Sequence, residues 1–344
     1  MRKTVCLTLL TLFTLAFCAA AADAPALPVE VPPDHEDLVR SGRFSEDHRF
    51  GWTAGNVRLR FRGTAANVVV DLTRGRKSAL QVVVDGEPTK VLELSQDQDV
   101  YELARNLPEG EHVVEIWKRP EGFRGELKLI GFQLNEGARV LPLESADRRI
   151  LVIGDSISCG YGNEAKDLKE GNTNLNQNGY LSYGPIAARE LGAEIMMVCW
   201  SGRGMYRNRG LEDDRTGVLP QLFEQTLPFS VEPRWDHASW VPDVIVINLG
   251  TNDMFRGRDL QKPALTKAMY LGAYRAFLKE LRTHYPDAQI IVSIGPMLVE
   301  PIDAWLEELA DGQEKVHALV FEKRQAKEYF GGHWHPTVKM HRLM

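Results

Sequence analysis

The chain has 344 residues, of which 47 are acidic and 41 are basic, and its formal net charge is −6. An acidic protein is a poor candidate for binding nucleic acid or an anionic membrane, because both of these attract positive charge. The length suits two domains, and no stretch after the N-terminal segment is long and apolar enough to span a bilayer.

The N-terminal segment has the pattern of a secretory signal. Two basic residues precede a short apolar run, and small residues at 19–22 form a suitable cleavage site. We therefore expect residues 1–22 to be a signal peptide and the mature chain to be secreted or periplasmic. A lipid on Cys18 is the alternative, but the bulky Phe17 stands where a small residue is expected.

Two cysteines, Cys159 and Cys199, would remain after that cleavage. An oxidising compartment allows a disulfide bond between them, since both lie near the ends of predicted strands of one sheet. Two buried free thiols are the alternative, and the sequence leaves both possibilities open.

A β-rich pattern occupies the first part of the mature chain. Residues 23–38 carry four prolines and no clear periodicity, which predicts a tether. From 39 to 134, apolar and polar residues alternate in short runs separated by Gly, Pro and Asp, as in an all-β sandwich or jelly roll. The predicted strands are 56–61, 66–72, 80–84, 90–94, 100–103, 112–118 and 126–134.

The pattern changes after a predicted linker at 135–147. Short apolar strands then alternate with helical patterns, which predicts a three-layer α/β/α domain with a parallel sheet over 148–344. Asp311 and Gly312 could interrupt the last predicted helix. The predicted strands are 150–153, 194–199, 244–249 and 289–294, and the predicted helices are 183–191, 267–284 and 304–319.

The first candidate catalytic residue is Ser156, in Gly154-Asp155-Ser156 directly after the strand at 150–153. A serine hydroxyl needs a base to become a nucleophile. A strand-to-helix turn would expose its Oγ and place backbone N–H groups beside it. The alternative is that Asp155 or Ser156 only caps a helix, because both residue types are favoured there.

A glycine-containing turn, Ser201-Gly202-Arg203-Gly204, closely follows the strand at 194–199. Glycine allows close approach of the backbone to a ligand. The N–H of Gly202 is therefore a candidate oxyanion donor, as acyl transfer requires. An ordinary tight turn is the alternative.

A second polar turn, Thr251-Asn252-Asp253, follows the strand at 244–249. The side-chain amide of Asn252 is also a candidate oxyanion donor. A polar turn without a ligand is the alternative. We expect Asp253 to cap the next segment or to fix the loop.

The candidate general base is His335, in a C-terminal His-Trp-His-Pro-Thr segment. The pKa of histidine suits proton transfer near neutral pH. A surface histidine, or a metal site made by His333 and His335, is the alternative. Metal binding needs three or four ligands, and His341 is the one further candidate nearby, so we expect no metal.

These four motifs, in this order, resemble the SGNH (GDSL-type) hydrolase superfamily. The resemblance implies a flavodoxin-like α/β/α fold in which Ser156 and His335 are catalytic. It also implies that Ser156, Gly202 and Asn252 form the oxyanion hole and that no cofactor is needed.

The resemblance extends over nearly the whole mature chain to carbohydrate esterase family two. It is carried by the blocks at 42–44, 52–64, 83–87, 117–122 and 199–206. It implies an N-terminal jelly roll and an acetylxylan esterase or related sugar O-deacetylase, several of which favour the 6-hydroxyl of hexoses. The expected partner is an acetylated polysaccharide or oligosaccharide, and the sequence leaves the oligomeric state open.

One residue departs from the family pattern. An Asp often stands two residues before the catalytic His, and this chain has His333 there. The Asp normally orients the imidazole and stabilises its cation. We therefore predict a Ser156–His335 dyad, with the imidazole held by a backbone carbonyl and with reduced activity. The rival hypothesis is a carbohydrate-binding protein with weak or lost catalysis.

Aromatic residues in the loops after the strands suit stacking on sugar rings, although core packing is their commoner use. By the resemblance, Tyr206 and Trp334 correspond to aromatics of the substrate cleft. We expect Trp235 and Trp240 to pack a long loop. A lipase-like esterase for other acyl groups is a third hypothesis, against which stands the lack of a long apolar lid segment in the sequence.

Overall fold

The computed structural model of the protein describes residues 24–210, 213–255 and 263–344. The predicted signal peptide, 1–22, lies outside the described residues. Within these ranges, no helix has the length and apolar character that crossing a membrane requires.

Two antiparallel sheets form the N-terminal part of the chain and share one apolar core. One sheet has the order β1-β10-β5-β8 with β3 on β10, and the other has the order β11-β4-β9-β6-β7 with β2 on β4. The strands are β1 (Val29–Val31), β2 (Val39–Ser41), β3 (Arg49–Phe50), β4 (Asn56–Gly63), β5 (Ala66–Arg74), β6 (Lys77–Val84), β7 (Glu87–Ser95), β8 (Val100–Ala104), β9 (Gly110–Lys118), β10 (Glu126–Leu134) and β11 (Arg139–Leu141).

The predicted alternation is clear in β4. Val57, Leu59 and Phe61 are fully buried, whereas Arg58 and Arg60 between them are partly exposed. Successive side chains of a strand point to opposite faces of its sheet, so this pattern buries one face. The predicted β-sandwich is confirmed.

The sandwich extends beyond its predicted bounds at both ends. Within the predicted tether, β1 pairs with β10 and Val31 is buried. Within the predicted linker, β11 pairs with β4. Both strands have three residues, too few to show a period of two, and their partners are distant in sequence.

The C-terminal part is built on a parallel sheet with the order β13-β12-β16-β17-β18. A small hairpin, β14–β15, lies outside this sheet. The strands are β12 (Arg148–Gly154), β13 (Ala193–Cys199), β14 (Gln225–Leu227), β15 (Ser230–Arg234), β16 (Val244–Asn248), β17 (Gln289–Ile294) and β18 (Val316–Val320). The helices are α1 (Tyr183–Glu190), α2 (Leu219–Leu222), α3 (Lys267–His284), α4 (Ile302–Ala310) and α5 (Val338–His341), and 3₁₀ turns lie at Gly122–Arg124, Gly179–Leu181, Lys327–Tyr329 and Gly332–Trp334.

The sheet is covered on both faces. Leu151 and Ile153 of β12 belong to a core shared with α3. Ile150 and Val152 belong to a second core shared with α1. Because neighbouring residues of one strand pack into different cores, the sheet is the middle of three layers, and the predicted α/β/α architecture is confirmed.

The predicted helix at 304–319 is wrong in its second half. α4 ends at Ala310, a turn at Gly312 with φ +69° follows, and the chain then forms the edge strand β18. Three of the five β18 side chains are exposed, so the strand lacks the apolar run that marked the other strands.

The predicted strand-to-helix turn after Ser156 also differs in the structure. Residues 155–164 form consecutive turns, and the next helix is α1. A single helical turn does form, since the N–H of Cys159 donates to the carbonyl of Asp155 (3.0 Å). Gly160 and Gly162, both with positive φ, stop its continuation.

Candidate active site

The sheet brings three of the four motifs to one edge. Gly154 at the end of β12 pairs with Cys199 at the end of β13 and with Asn248 at the end of β16. The loops that carry Ser156, Gly202 and Asn252 therefore start side by side. Ligands of open parallel α/β sheets bind at this carboxyl edge.

Ser156 and His335 are in direct contact at this edge. Nε2 of His335 lies 2.8 Å from Oγ of Ser156, across 179 positions of sequence. Both side chains are buried, at 7% and 5% exposure. This is the distance at which a base can take the hydroxyl proton.

Of the two residues that could cap a helix, Asp155 and Ser156, Asp155 is the one whose side chain caps the turn. Oδ1 of Asp155 accepts the N–H of Ile157 (2.9 Å), and Oδ2 accepts the side-chain amide of Asn252 (3.0 Å). Burial raises the pKa of Asp155 to about 7. Asp155 thus stabilises the turn, and the hydroxyl of Ser156 is left to His335.

Backbone carbonyls hold the other nitrogen of His335. Nδ1 lies 3.2 Å from the carbonyl oxygens of both Gly332 and His333. Carbonyl oxygens only accept hydrogen bonds, so they place the proton on Nδ1 and leave Nε2 as the acceptor for Ser156. This is the arrangement that we predicted in place of an Asp.

Tyr161 provides a second support for His335 that the sequence did not reveal. Its ring stacks on the imidazole, with centroids 4.1 Å apart, and its hydroxyl pairs with Nδ1 of His333 (2.9 Å). The His333 side chain is therefore turned toward Tyr161, while its carbonyl faces His335. The position of Tyr161, five residues after Ser156, is the one signal that placed it near the site.

Burial also sets the protonation state of His335. Desolvation lowers its pKa to about 4; hydrogen bonds to the carbonyls of His333 and Gly332 oppose this, and the nearby Arg209 reinforces it. Above that pH the imidazole is neutral, so it is ready to accept a proton at neutral pH.

Gly202 has the geometry of an oxyanion donor. Its φ is +79°, and no atom lies within 4 Å of where a Cβ would stand. Its N–H, like that of Ser156, has no acceptor among the described residues. Two unpaired N–H groups thus belong to neighbouring loops at the sheet edge.

The side-chain amide of Asn252 makes hydrogen bonds within the protein that we did not expect. Its Nδ2 donates to Oδ2 of Asp155 (3.0 Å) and to the carbonyl of Arg203 (2.8 Å). Both amide hydrogens therefore have protein acceptors. An oxyanion would share one of these hydrogens, and the amide also ties three loops together.

Asp253 fixes the loop after β13, whereas we expected it to cap the next segment or to fix its own loop. Its buried carboxylate accepts the N–H groups of Met205 (2.9 Å), Tyr206 (2.6 Å) and Arg207 (3.0 Å). The loop that follows Gly202 is thus attached to the loop that carries Asn252.

The two predicted substrate-cleft aromatics lie in different surroundings. Trp334 is 58% exposed and packs against Phe330, beside a cavity of about 400 Å³ that is also lined by Met297 and Arg324. The ring of Tyr206 is covered by the guanidinium of Arg215, 3.6 Å from the ring centroid. Trp334 is therefore the more accessible of the two.

Three further tryptophans of the predicted loops are packing residues. Trp235 and Trp240 lie against the core of the parallel sheet. Trp240 contacts Arg149 at the start of β12, which is the sheet edge opposite Ser156. Trp200 is buried between Trp52 of the sandwich and Phe229. These contacts join the two parts of the chain by apolar burial.

Cys159 and Cys199 are both buried free thiols. The alternative without a disulfide is the one in the structure. Burial raises the pKa of the Cys159 thiol well above its usual value, which makes it a poor nucleophile.

The three C-terminal histidines have separate partners. His333 pairs with Tyr161 and His335 with Ser156, while Nδ1 of His341 lies 3.3 Å from the backbone nitrogen of Tyr183. This arrangement does not gather them into a metal site.

A different group, Glu224, His237 and His284, has the ligand types and spacing of a metal site within the described part of the chain. Its carboxylate lies 3.2 and 3.7 Å from the two imidazoles. Two cations are close. Arg234 contacts Glu224 (3.5 Å), and burial and then the charge of the buried Arg43 lower the pKa of His237 to about 4. These charges oppose a divalent ion, and the contacts describe a hydrogen-bonded cluster around Glu224 at the C-terminal end of α3.

Comparisons with known proteins agree with this geometry. Residues 152–343 match the GDSL-like lipase/acylhydrolase family, and residues 41–143 match the carbohydrate esterase 2 N-terminal domain. The α/β/α fold and the contact between Ser156 and His335 at the sheet edge thus define a GDSL-like hydrolase with an attached β-sandwich.

The similar structures narrow the family further. A family two carbohydrate esterase from Clostridium thermocellum, solved in complex with cellohexaose, is 33% identical with a TM-score of 0.81; the match covers 89% of this chain and 95% of that one. A family two carbohydrate esterase from Cellvibrio japonicus is 25% identical with a TM-score of 0.80, over 92% and 94% of the two chains. The chain belongs to carbohydrate esterase family two.

Characterised relatives carry related names. The cellulase/esterase CelE of Acetivibrio thermocellus is 33% identical over 90% of this chain, which spans 38% of that relative's length. An acetylxylan esterase/glucomannan deacetylase of Cellvibrio japonicus is 29% identical, over 86% of this chain and 81% of that protein.

Proposed function

We propose that this protein is a carbohydrate O-acetyl esterase that acts through a Ser156–His335 dyad. The observation that carries the proposal is the 2.8 Å contact between Nε2 of His335 and Oγ of Ser156 at the carboxyl edge of the sheet. Family membership supports ester hydrolysis, and the names of the relatives support acetyl groups on sugars.

Acylation begins with attack by Oγ of Ser156 on the acetyl carbonyl carbon while Nε2 of His335 accepts the hydroxyl proton. The N–H groups of Ser156 and Gly202 stabilise the oxyanion, with Asn252 as the third donor. When the tetrahedral intermediate collapses, the imidazolium of His335 protonates the departing sugar oxygen. The acetyl group is then attached to Ser156.

Deacylation repeats the same proton transfers with water. His335 removes a proton from the water molecule that attacks the acetyl-serine carbonyl. The oxyanion forms at the same donors, and the imidazolium returns its proton to Oγ of Ser156 as acetate leaves. Each step uses a neutral His335 first, which its lowered pKa supplies.

The proposed substrates are acetylated plant-type polysaccharides such as xylan or mannan, with the 6-hydroxyl of hexoses as a candidate position. Trp334 directly precedes His335 and is exposed beside a cavity, and an exposed aromatic face suits stacking on a sugar ring. Export by the segment 1–22 would bring the enzyme to such substrates. Sequencing the N-terminus of protein recovered from outside the cytoplasm tests that cleavage.

Replacing the nucleophile tests the activity. We expect Ser156→Ala to lower kcat for 4-nitrophenyl acetate by about 10⁴-fold or more, because no other hydroxyl contacts Nε2 of His335 among the described residues. Ser158→Ala is the matched control, since the hydroxyl of Ser158 pairs with Tyr183 and not with His335. A Ser156→Ala enzyme with the wild-type rate contradicts the proposal.

The rival function is carbohydrate binding with weak or lost catalysis, for which His333 was the support. The carbonyls that hold Nδ1 of His335 supply the orientation an Asp would give, which favours catalysis. Acetate release from a panel of acetylated polysaccharides, with the lost acetyl located by NMR, separates the two functions. Binding without release from every substrate favours the rival.

A further inference from the structure

The β-sandwich extends a short segment into the hydrolase part of the chain. This interdomain arm, residues 118–124, connects β9 to β10. Gly122 lies so close to Pro228 that a Cβ there would stand 2.6 Å from its ring. The arm is therefore closely packed where the two parts of the chain meet.

The buried carboxylate of Glu121 lies at the centre of this arm. Its Oε2 accepts the N–H of Ser201 (2.7 Å), and its Oε1 accepts the hydroxyl of Ser201 (2.6 Å) and the amide of Gln177 (3.0 Å). The side chain has no exposed surface. The thiol of Cys159 is a fourth, weak donor, 3.9 Å from Oε2. A buried carboxyl group with three strong hydrogen bonds is a directional constraint on the groups that donate to it.

A second buried ionisable group lies in the same arm. The side-chain nitrogen of Lys118 is also fully buried and donates to the carbonyls of Pro120 (2.6 Å) and Glu121 (3.2 Å). Burial raises the pKa of Glu121 and lowers that of Lys118 to about 7, the directions expected when ionisable groups are removed from water. Such groups are costly to bury, and a simple apolar contact would join the domains at lower cost. The hydrogen bonds of Glu121 therefore need an explanation beyond joining the two parts of the chain.

The position of Ser201 supplies that explanation. Ser201 directly precedes Gly202, and together they lie in the oxyanion loop, residues 200–204. Glu121 accepts both the backbone N–H and the hydroxyl of Ser201. The next N–H, that of Gly202, has no acceptor among the described residues. An oxyanion hole depends on donors that are held in place before the charge develops.

We propose that Glu121, a residue of the β-sandwich, is a positioning residue for the oxyanion hole, and that the hydrolase domain is catalytically incomplete without it. The inference rests on the proposed function, because it assigns a role to Gly202 in that reaction. The sandwich is thus more than a separate carbohydrate-binding or bracing module.

The test is Glu121→Gln in the full chain, assayed with 4-nitrophenyl acetate. A carboxamide offers one acceptor oxygen and turns an NH₂ toward a donor, so Gln cannot receive all three bonds. We expect kcat to fall about 10- to 100-fold with KM within about twofold, since oxyanion donors act mainly in the transition state. The matched control is Glu126→Gln, a buried glutamate of β10 that pairs with Arg49, and we expect it to retain the wild-type kcat.

A double-mutant cycle separates positioning from general destabilisation. If Glu121 acts through Gly202, then adding Glu121→Gln to Gly202→Ala should lower kcat by less than about threefold further, because coupled residues are non-additive. Full multiplication of the two losses, or an unchanged kcat in Glu121→Gln, contradicts the inference.

One further variant, together with Ser156→Ala, keeps the test decisive. If Glu121→Gln fails to fold, Ser201→Ala removes one of the three hydrogen bonds and should show a smaller loss of kcat with the same non-additivity. A wild-type rate in Glu121→Gln beside an inactive Ser156→Ala would overturn this inference alone. A wild-type rate in Ser156→Ala would instead overturn the proposed function.

Discussion

The proposed base, His335, and the oxyanion loop differ in what holds them in place. The turn at 331–335 holds His335 through its own carbonyls, two and three residues away, and through the ring of Tyr161. The oxyanion loop at 200–204 is held by Glu121, eighty positions earlier, and its Arg203 carbonyl by Asn252, forty-nine positions later.

This difference predicts which half of the site tolerates sequence change. A backbone carbonyl is present whatever the side chain, so His335 can keep its orientation with His333 in the usual Asp position. The oxyanion loop depends on side chains from distant segments, which a single substitution can remove. We therefore expect larger losses of kcat from changes around the oxyanion loop than from changes around His335.

The largest effect that sharpens this comparison is expected for Asn252→Ala. Loss of an oxyanion donor costs about 10²- to 10³-fold in kcat, and the change also removes the hydrogen bonds to Oδ2 of Asp155 and to the Arg203 carbonyl. Steady-state kinetics and a thermal unfolding curve give both losses. Asn67→Ala, which removes a buried asparagine of the sandwich, is the control and should keep kcat. An Asn252→Ala enzyme that is destabilised but keeps kcat would restrict Asn252 to a structural role.

A smaller effect is expected for His333→Asp, read from the pH profile of kcat/KM. The pKa of His335 is lowered to about 4, so kcat/KM should rise as the imidazole loses its proton near that pH and level off above it. A carboxylate at 333 favours the charged imidazole, so the acid limb should move up by about one pH unit or more.

His333→Asn is the control for that shift, because Asn has the shape of Asp without its charge. It also loses the bond to Tyr161 but adds no charge, so its acid limb should stay near that of the wild type. An equal shift in both variants would mean that the charge is irrelevant and that the turn itself has moved.

The smallest effect is expected for Tyr161→Phe. This variant keeps the ring that stacks on His335 and loses the hydroxyl that pairs with His333, so kcat should fall by less than about tenfold. Tyr274→Phe, which removes a buried hydroxyl that extends from α3 to the Ile247 carbonyl of β16, serves as the control and should keep kcat. A loss as large as that of Asn252→Ala would contradict the view that His335 is held mainly by its own backbone.

Most of the architecture could be predicted from local pattern. The period of two in β4 and the continuous apolar run of β16 follow from which faces are buried, and this information is local in sequence. β1, β11 and β18 could not be predicted in the same way, because a short strand or an exposed edge strand has too few buried positions to show a period.

The candidate site also has residues that local sequence predicts and contacts that it does not predict. Ser156, Gly202, Asn252 and His335 were predictable because three directly follow or closely follow strands of one sheet, and because the four motifs resemble a known family. The contact of Asp253 with the loop at 205–207 was not, since it joins two loops through a side chain.

The sequence by itself determined the two parts of the chain, the edge at which the motifs meet and the four residues proposed for catalysis. The tertiary structure decided how those residues are held. It turned the His333 side chain toward Tyr161 and its carbonyl toward His335, and it placed Glu121 of the sandwich against Ser201. The Tyr161 contact joins the loop after β12 to the C-terminal turn, and the Glu121 contact joins the segment between β9 and β10 to the loop after β13. Packing between such distant segments leaves no periodic trace in the sequence.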